Sequence, residues 1–174
     1  GMMDWVIDAD DGPRRSGRIN LSRLTDLLTP VCLGDINPPI HTPGPPWPET
    51  SQYSGSWYDP SHSGEGYVLQ VLSDHRALVY WFSYDSEGQR RWFFGIGEII
   101  GKQFVFADMK TTSGAGFGDD FDPDAVELKP WGSLVLELEC TVGSARFEPT
   151  EEGFPAGELS LSRLTTLDGL NCTD

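Results

Sequence analysis

A chain of 174 residues is long enough for one domain with an appendage, and for a core that forms without cross-links. With 27 Asp and Glu against 12 Lys and Arg, the formal charge is −15 and the pI about 4.4. Nucleic acid and anionic membrane surfaces are thereby excluded as partners, since each needs cationic side chains to neutralise it. No apolar run of about 18 residues occurs, so no membrane insertion is expected.

The first patterned segment is informative because it returns. Gly17-Arg-Ile-Asn-Leu-Ser-Arg-Leu-Thr-Asp-Leu-Leu-Thr-Pro-Val-Cys32 matches Gly157-Glu-Leu-Ser-Leu-Ser-Arg-Leu-Thr-Thr-Leu-Asp-Gly-Leu-Asn-Cys172 without a gap, at an offset of 157 − 17 = 140 residues. More loosely, Trp5-Val-Ile-Asp8 stands where Ala145-Arg-Phe-Glu148 stands. Self-similarity at a fixed offset marks repeated structural units. Residues 1–35 therefore read as the C-terminal strands of a preceding repeat unit, with a β-strand over 17–25 like that over 157–165. Trp5, Val6, Ile7, Leu21, Leu24 and Leu27 are too apolar to sit comfortably in water, so this segment is expected to pack in order, either on the complete domain or on a neighbouring copy. Residues 36–50 contain Asn37-Pro-Pro-Ile-His-Thr-Pro-Gly-Pro-Pro-Trp-Pro48, where proline removes backbone donors and fixes φ; this is a semi-rigid linker.

Residues 51–174 read as one complete β-domain. Tyr67-Leu69-Val71, Leu78-Tyr80-Phe82-Tyr84, Trp92-Phe94-Ile96, Leu134-Leu136-Leu138-Cys140 and Leu159-Leu161 recur at period two, the spacing of side chains on one face of a strand. Turn signals separate them at Ser73-Asp-His75, Asp85-Ser-Glu-Gly88, Ile100-Gly-Lys102, Val142-Gly-Ser144 and Glu152-Gly153. Helical periodicity is missing throughout. About eight antiparallel strands follow as an up-and-down meander, whose apolar face and edges are hidden by closure into a barrel or, alternatively, by folding as a β-sandwich. Val79-Tyr80-Trp81-Phe82 and Trp92-Phe93-Phe94 carry bulky residues on both faces, which predicts a second buried contact outside the core.

The three cysteines follow the repeat. Cys140 and Cys172 lie within one unit and read as a disulfide, while Cys32 is the counterpart of Cys172 and is left without its own partner; three reduced core thiols are the alternative. A disulfide implies an oxidising compartment, periplasmic or extracellular. The opening Gly1-Met2-Met3-Asp4 shows no basic region leading into an apolar stretch, so the compartment is argued from other features. Zinc is not expected, for no Cys-x-x-Cys or paired Cys/His spacing is present.

The set Ser54-Gly-Ser-Trp-Tyr-Asp-Pro60, Ser63-Gly-Glu-Gly66, Leu78-Val-Tyr-Trp-Phe82, Tyr84-Asp85, Gln89-Arg-Arg-Trp92, Phe121-Asp-Pro123, Trp131-Gly132 and Gly153-Phe-Pro-Ala-Gly157 resembles an uncharacterised β-rich domain of exported proteobacterial proteins, often found in tandem copies. The resemblance covers residues 51–172 and implies export and a β-rich fold, with no established activity. A fainter resemblance touches lipocalin and avidin-like barrels, which open on a Gly-x-Trp strand and close on a strand whose basic residue packs on that Trp. Gly55-Ser-Trp57 and Arg163 match those parts, which implies barrel closure and a structural role for Trp57 and Arg163.

Two constellations are candidates for chemistry. Tyr58, Asp59, His62 and Glu65 share the connection between the first two strands of the domain with Ser61 and Ser63, an inventory suited to acid/base or nucleophilic work. A turn held by Asp59 and Ser63, with Gly64 and Gly66 supplying permissive dihedrals, explains the same residues without chemistry. The aromatics Tyr80, Trp81, Tyr84 and Trp92, with Tyr67 and Trp131, suit stacking on sugars or other amphipathic ligands, above all where a few line a groove with Glu65 and Arg91. Core packing is the competing account. The acidic run Asp119-Asp120-Phe-Asp122-Pro-Asp124 fails the EF-hand pattern at Ala125 and Trp131, and Ser113-Gly-Ala-Gly-Phe-Gly118 lacks the Lys and helix of a phosphate loop. The reading is therefore a ligand-binding or interaction module, for a glycan or small amphipathic molecule, with Tyr58, Asp59, His62, Glu65, Tyr80, Trp81, Tyr84 and Trp92 as candidate contacts. Trp57, Arg163, Cys140 and Cys172 are structural; no catalytic residue, metal or cofactor is assigned. The alternative is a hydrolase using Asp59, His62 and Glu65. Partners beyond a small ligand are neighbouring copies of the domain, or self-association through residues 1–32.

Overall fold

A computed structural model describes residues 1–7, 15–22, 49–72, 74–167, 169–170 and 172. Cys32 and most of the linker lie outside the described residues, as do positions 23–25 of the first closing segment. Strands β1 (Met2–Ile7) and β2 (Arg15–Asn20) form a two-stranded antiparallel sheet of their own. In its register Met3 faces Ile19, Asp4 faces Arg18 and Trp5 faces Gly17. Among the described residues this sheet pairs with no barrel strand.

Eight further strands make that domain: β3 (Gly55–Tyr58), β4 (Gly66–Val71), β5 (Arg76–Tyr84), β6 (Arg90–Ile100), β7 (Gln103–Ser113), β8 (Glu127–Leu138), β9 (Val142–Pro149) and β10 (Gly157–Arg163). Each pairs antiparallel with its sequence neighbour, and β10 returns to β3 to close a barrel. Closure, rather than a sandwich, removes every edge of the main sheet. Three 3-10 turns, Glu49–Tyr53, Gly118–Asp120 and Pro123–Ala125, are the helical segments among the described residues, and no helix there is long and apolar enough to cross a membrane.

Alternation sorts side chains between interior and exterior. Trp57, Tyr67, Leu69, Trp81, Phe93, Phe104, Phe106, Trp131, Leu134 and Leu136 are buried inside, each contributing roughly 1.5–3 kcal/mol through removal from water. Tyr80, Phe82, Tyr84, Trp92 and Ile96 occupy the opposite face of β5 and β6, and Phe82, Tyr84 and Trp92 are 49%, 47% and 38% exposed. The second buried contact anticipated for these rings is thus not made for those three. The interior of β6 is narrowed instead by Gly95 and Gly97. A Cβ on Gly97 would stand 2.3 Å from the Val105 carbonyl oxygen and 2.6 Å from the Phe106 ring, where β6 and β7 shift register.

Four of the five predicted turns fall between strands. The exception is Val142-Gly-Ser144, which lies inside β9; the chain turns earlier, where the Glu139 amide donates to the Val142 carbonyl at 2.9 Å. Gly143 serves close approach there, because a Cβ would meet the Glu137 oxygen at 2.6 Å.

The chain direction of the strands gives the barrel two ends. At the base lie the described residues of 49–55, 71–76, 100–103 and 138–142 and those that follow β10. Arg163 closes this end: its guanidinium stands 5.3 Å over the Trp57 ring and donates to the carbonyls of Ser54 (2.8 Å), Thr165 (3.1 Å), Cys140 (3.2 Å) and Gln52. Partial burial lowers its pKa from the ordinary value, without threatening its charge. Beside it Cys140 and Cys172 stand at disulfide distance, with Cα atoms 5.4 Å apart. At the other end, the rim, lie the connections 59–65, 85–89, 114–126 and 150–156.

Candidate binding site at the barrel rim

The connection from β3 to β4 is a tight turn built on Asp59. Its carboxylate accepts from the Ser61 amide at 2.8 Å and the Ser61 hydroxyl at 2.6 Å, while the His62 amide donates to the Asp59 carbonyl at 2.9 Å. His62 Nδ1 sits 3.2 Å from the second carboxylate oxygen and 3.3 Å from the Ser61 hydroxyl. Hydrogen bonds from Ser61, assisted by His62, hold the Asp59 carboxyl down to about 2. Gly64 has φ of +114°, and a Cβ on it would stand 3.3 Å from the Tyr84 hydroxyl, so Tyr84 leans on this turn from the outer face.

Glu65 leaves the turn and accepts from the Ser83 hydroxyl on β5 at 2.6 Å. Across the rim Arg91 reaches both oxygens of Glu151 at 2.9 Å, lies 3.9 Å from Asp85, and covers the rings of Phe154 (5.2 Å) and Phe93 (5.8 Å). Beneath these charges sits one contiguous cluster of rings. Trp81 stacks on Tyr67 (centroids 5.1 Å apart), meets Trp131 edge-on (5.1 Å) and touches Phe93 (5.3 Å) and Phe147 (4.9 Å); Trp131 in turn lies 4.3 Å from Phe93. The Tyr67 hydroxyl and the indole Nε1 of Trp81 and of Trp131 are buried and have no hydrogen-bond partner among the described residues. Burial first, then the neighbouring Glu65 and Asp59 charges, pushes the Tyr67 phenol well above its usual value, so it stays a neutral donor at physiological pH.

The structure thus divides the sequence candidates. Asp59, His62 and Glu65 are at the rim and Trp81 is in the ring cluster directly below it, whereas Tyr80 and Trp92 stack on each other and on Phe94 on the outer wall, at centroid distances of 5.3–6.4 Å. Tyr58 is half-buried at the end of β3, on the opposite face from Trp57. Three residues complete the rim: Phe154, which the sequence shows only within the Gly153–Gly157 motif, and Ser83 and Glu151, which no motif or pattern in the sequence marks. The partners of Ser83 and Glu151 lie 18 and 60 residues away, so only register could have linked them.

One cluster of buried, mostly apolar side chains occupies the barrel core. A recess of about 460 Å³ lies at the base, lined by Cys140, Thr141, Arg163 and the segment that follows. It belongs to the closure, because Arg163 spends its donors there on four backbone carbonyls. Among the described residues no group of three or more His, Cys, Asp or Glu is gathered as metal ligands. Asp122 accepts from the Asp124 amide at 3.0 Å, which uses that part of the acidic run in a turn. Compared with protein families, with curated proteins and with solved structures, the chain matches none.

Proposed function

We propose that the domain is an exported, non-enzymatic binding module that takes a small neutral ligand bearing hydroxyl or carbonyl acceptors, a glycan end being the fitting class, at the barrel rim. The observation that carries this reading is the set of three buried, unpartnered polar tips, on Tyr67, Trp81 and Trp131, within one ring cluster. Leaving a buried donor unmet costs about 1–3 kcal/mol, so three on adjacent rings favour a partner from outside the chain. Indole and phenol rings also offer apolar faces on which sugar C–H groups stack. Three of the rim charges are already engaged, Arg91 by Glu151, Glu65 by Ser83 and Asp59 by Ser61, which favours a neutral ligand over one held by these groups. The paired Cys140 and Cys172 support export.

A hydrolase built on Asp59, His62 and Glu65 draws less support. Asp59 is committed to its turn and held at a pKa of about 2, too low for an effective base near neutrality, and Glu65 bonds to Ser83. The test is indole N–H spectroscopy of the intact chain titrated with mono- and oligosaccharides and with small neutral amides. A saturable shift of the Trp81 and Trp131 signals is expected, with Trp92 unmoved and affinity at least about tenfold weaker in Tyr67→Phe, the loss of one hydrogen bond. If both indole signals stay fixed across the panel, the rim is not a ligand site.

A further inference from the structure

The β1–β2 hairpin reproduces the pairing of β9–β10 when the two are laid over each other at their glycines. Gly17 faces Trp5 as Gly157 faces Phe147; Arg18 faces Asp4 as Glu158 faces Arg146; Ile19 faces Met3 as Leu159 faces Ala145. Leu21 exchanges backbone bonds with Gly1, and Leu161 faces Gly143. The offset is 157 − 17 = 140 on the second strand but 147 − 5 = 142 on the first. Trp5 is therefore the counterpart of Phe147, not of Ala145 as the ungapped sequence comparison has it, and the first connection is two residues longer. The cross-strand charge pair recurs with its signs exchanged, and Arg18 Nε donates to Asp4 at 2.6 Å.

What differs is the environment. Ala145, Leu159 and Leu161 are 0%, 9% and 2% exposed in the barrel core, whereas Met3, Ile19 and Leu21 are 44%, 43% and 46% exposed. Both outer edges of the hairpin pair with no other strand among the described residues. In the barrel the corresponding edges are taken by β8, along β9, and by β3, along β10.

From these correspondences we infer that β1–β2 is the closing hairpin of a second barrel of the same kind, and that its exposed face and edges dock a six-stranded segment equivalent to residues 55–138, carried by polypeptide ahead of Gly1. The chain order argues for that source, because in the complete barrel the six strands precede β9. A two-stranded ribbon with an apolar face is marginal by itself, and pairing on both edges with burial of that face is what makes β9–β10 stable.

The test joins a second copy of residues 49–142 directly ahead of Gly1 of the full chain, so that Gly1 takes the place of Gly143, and reads amide exchange. Met3, Ile19 and Leu21 are expected to slow at least about a hundredfold relative to the parent chain, toward the rates of Ala145, Leu159 and Leu161. A control joins residues 49–172, which already contain their own closing hairpin; there the three amides keep the parent rates. If the shorter addition leaves them fast, or fails to fold while the longer one folds, the inference is overturned.

Discussion

Asp59 shows how a candidate catalytic acid becomes a structural one. The Ser61 hydroxyl, then the Ser61 amide, then His62 favour its charged form, and together they outweigh the opposing effect of desolvation. Because its folded pKa, about 2, lies below the ordinary 3.8, the stability it contributes is fully present above the ordinary value and is lost as pH falls through about 2. Carboxyl-carbon NMR is expected to show Asp59 titrating near that lower value, and Asp59→Asn to flatten the acid limb of the stability curve between about pH 4 and 2. A midpoint near 4 would show that the turn does not hold the carboxylate. That Asp59 holds a turn is legible in the sequence, which pairs it with Ser63; the structure gives Ser61 as the partner, two residues on. The Glu65–Ser83 and Arg91–Glu151 partnerships are not legible there, since nothing local records them.

At the scale of the strand, β5 and β6 show where period two stops being sufficient. Both faces of each carry large rings, so alternation alone cannot say which face is inside. The richer row, Tyr80, Phe82 and Tyr84 with Trp92, Phe94 and Ile96, lines the outer wall, while Trp81 and Phe93 point inward beside Gly95 and Gly97. The glycines hold the decision: Met109 and Phe106 of β7 fill the space that side chains on β6 would occupy. A Cβ on Gly95 meets the flexible end of Met109 at 2.7 Å, whereas one on Gly97 meets the Val105 backbone at 2.3 Å. Gly97→Ala is therefore expected to cost about 2 kcal/mol or more in denaturant unfolding, and Gly95→Ala distinctly less, since a thioether swings aside and a strand backbone does not. Equal costs would mean that the β6–β7 irregularity is not set by that contact. The glycine-based turn reading fails at Gly143 for a related reason, for glycine there marks close strand approach rather than reversal.

For the molecule as a whole, the base is fastened and the rim carries the polar chemistry. Arg163 ties the last strand to the segment just ahead of β3, and the Cys140–Cys172 pair, 32 residues apart, closes a loop beside it. Removing that link with reductant, or by Cys172→Ser, is expected to lower stability by about 3–4 kcal/mol on loop-entropy grounds while far-UV circular dichroism keeps its β signature. An unchanged melting temperature in reductant would show that the two thiols are not linked in solution. From the sequence alone came the all-β class, the strand count, the acidic character and the doubled closing segment, because alternation, turn chemistry and charge are local properties that each stretch of chain carries with it. Barrel rather than sandwich, the inward row of β5 and β6, the crowding of Tyr67, Trp81 and Trp131 beneath the rim, and the two-residue correction in the hairpin register were decided only by tertiary structure. Each depends on which strand lies beside which and in what register, a relation between distant residues that no local pattern encodes.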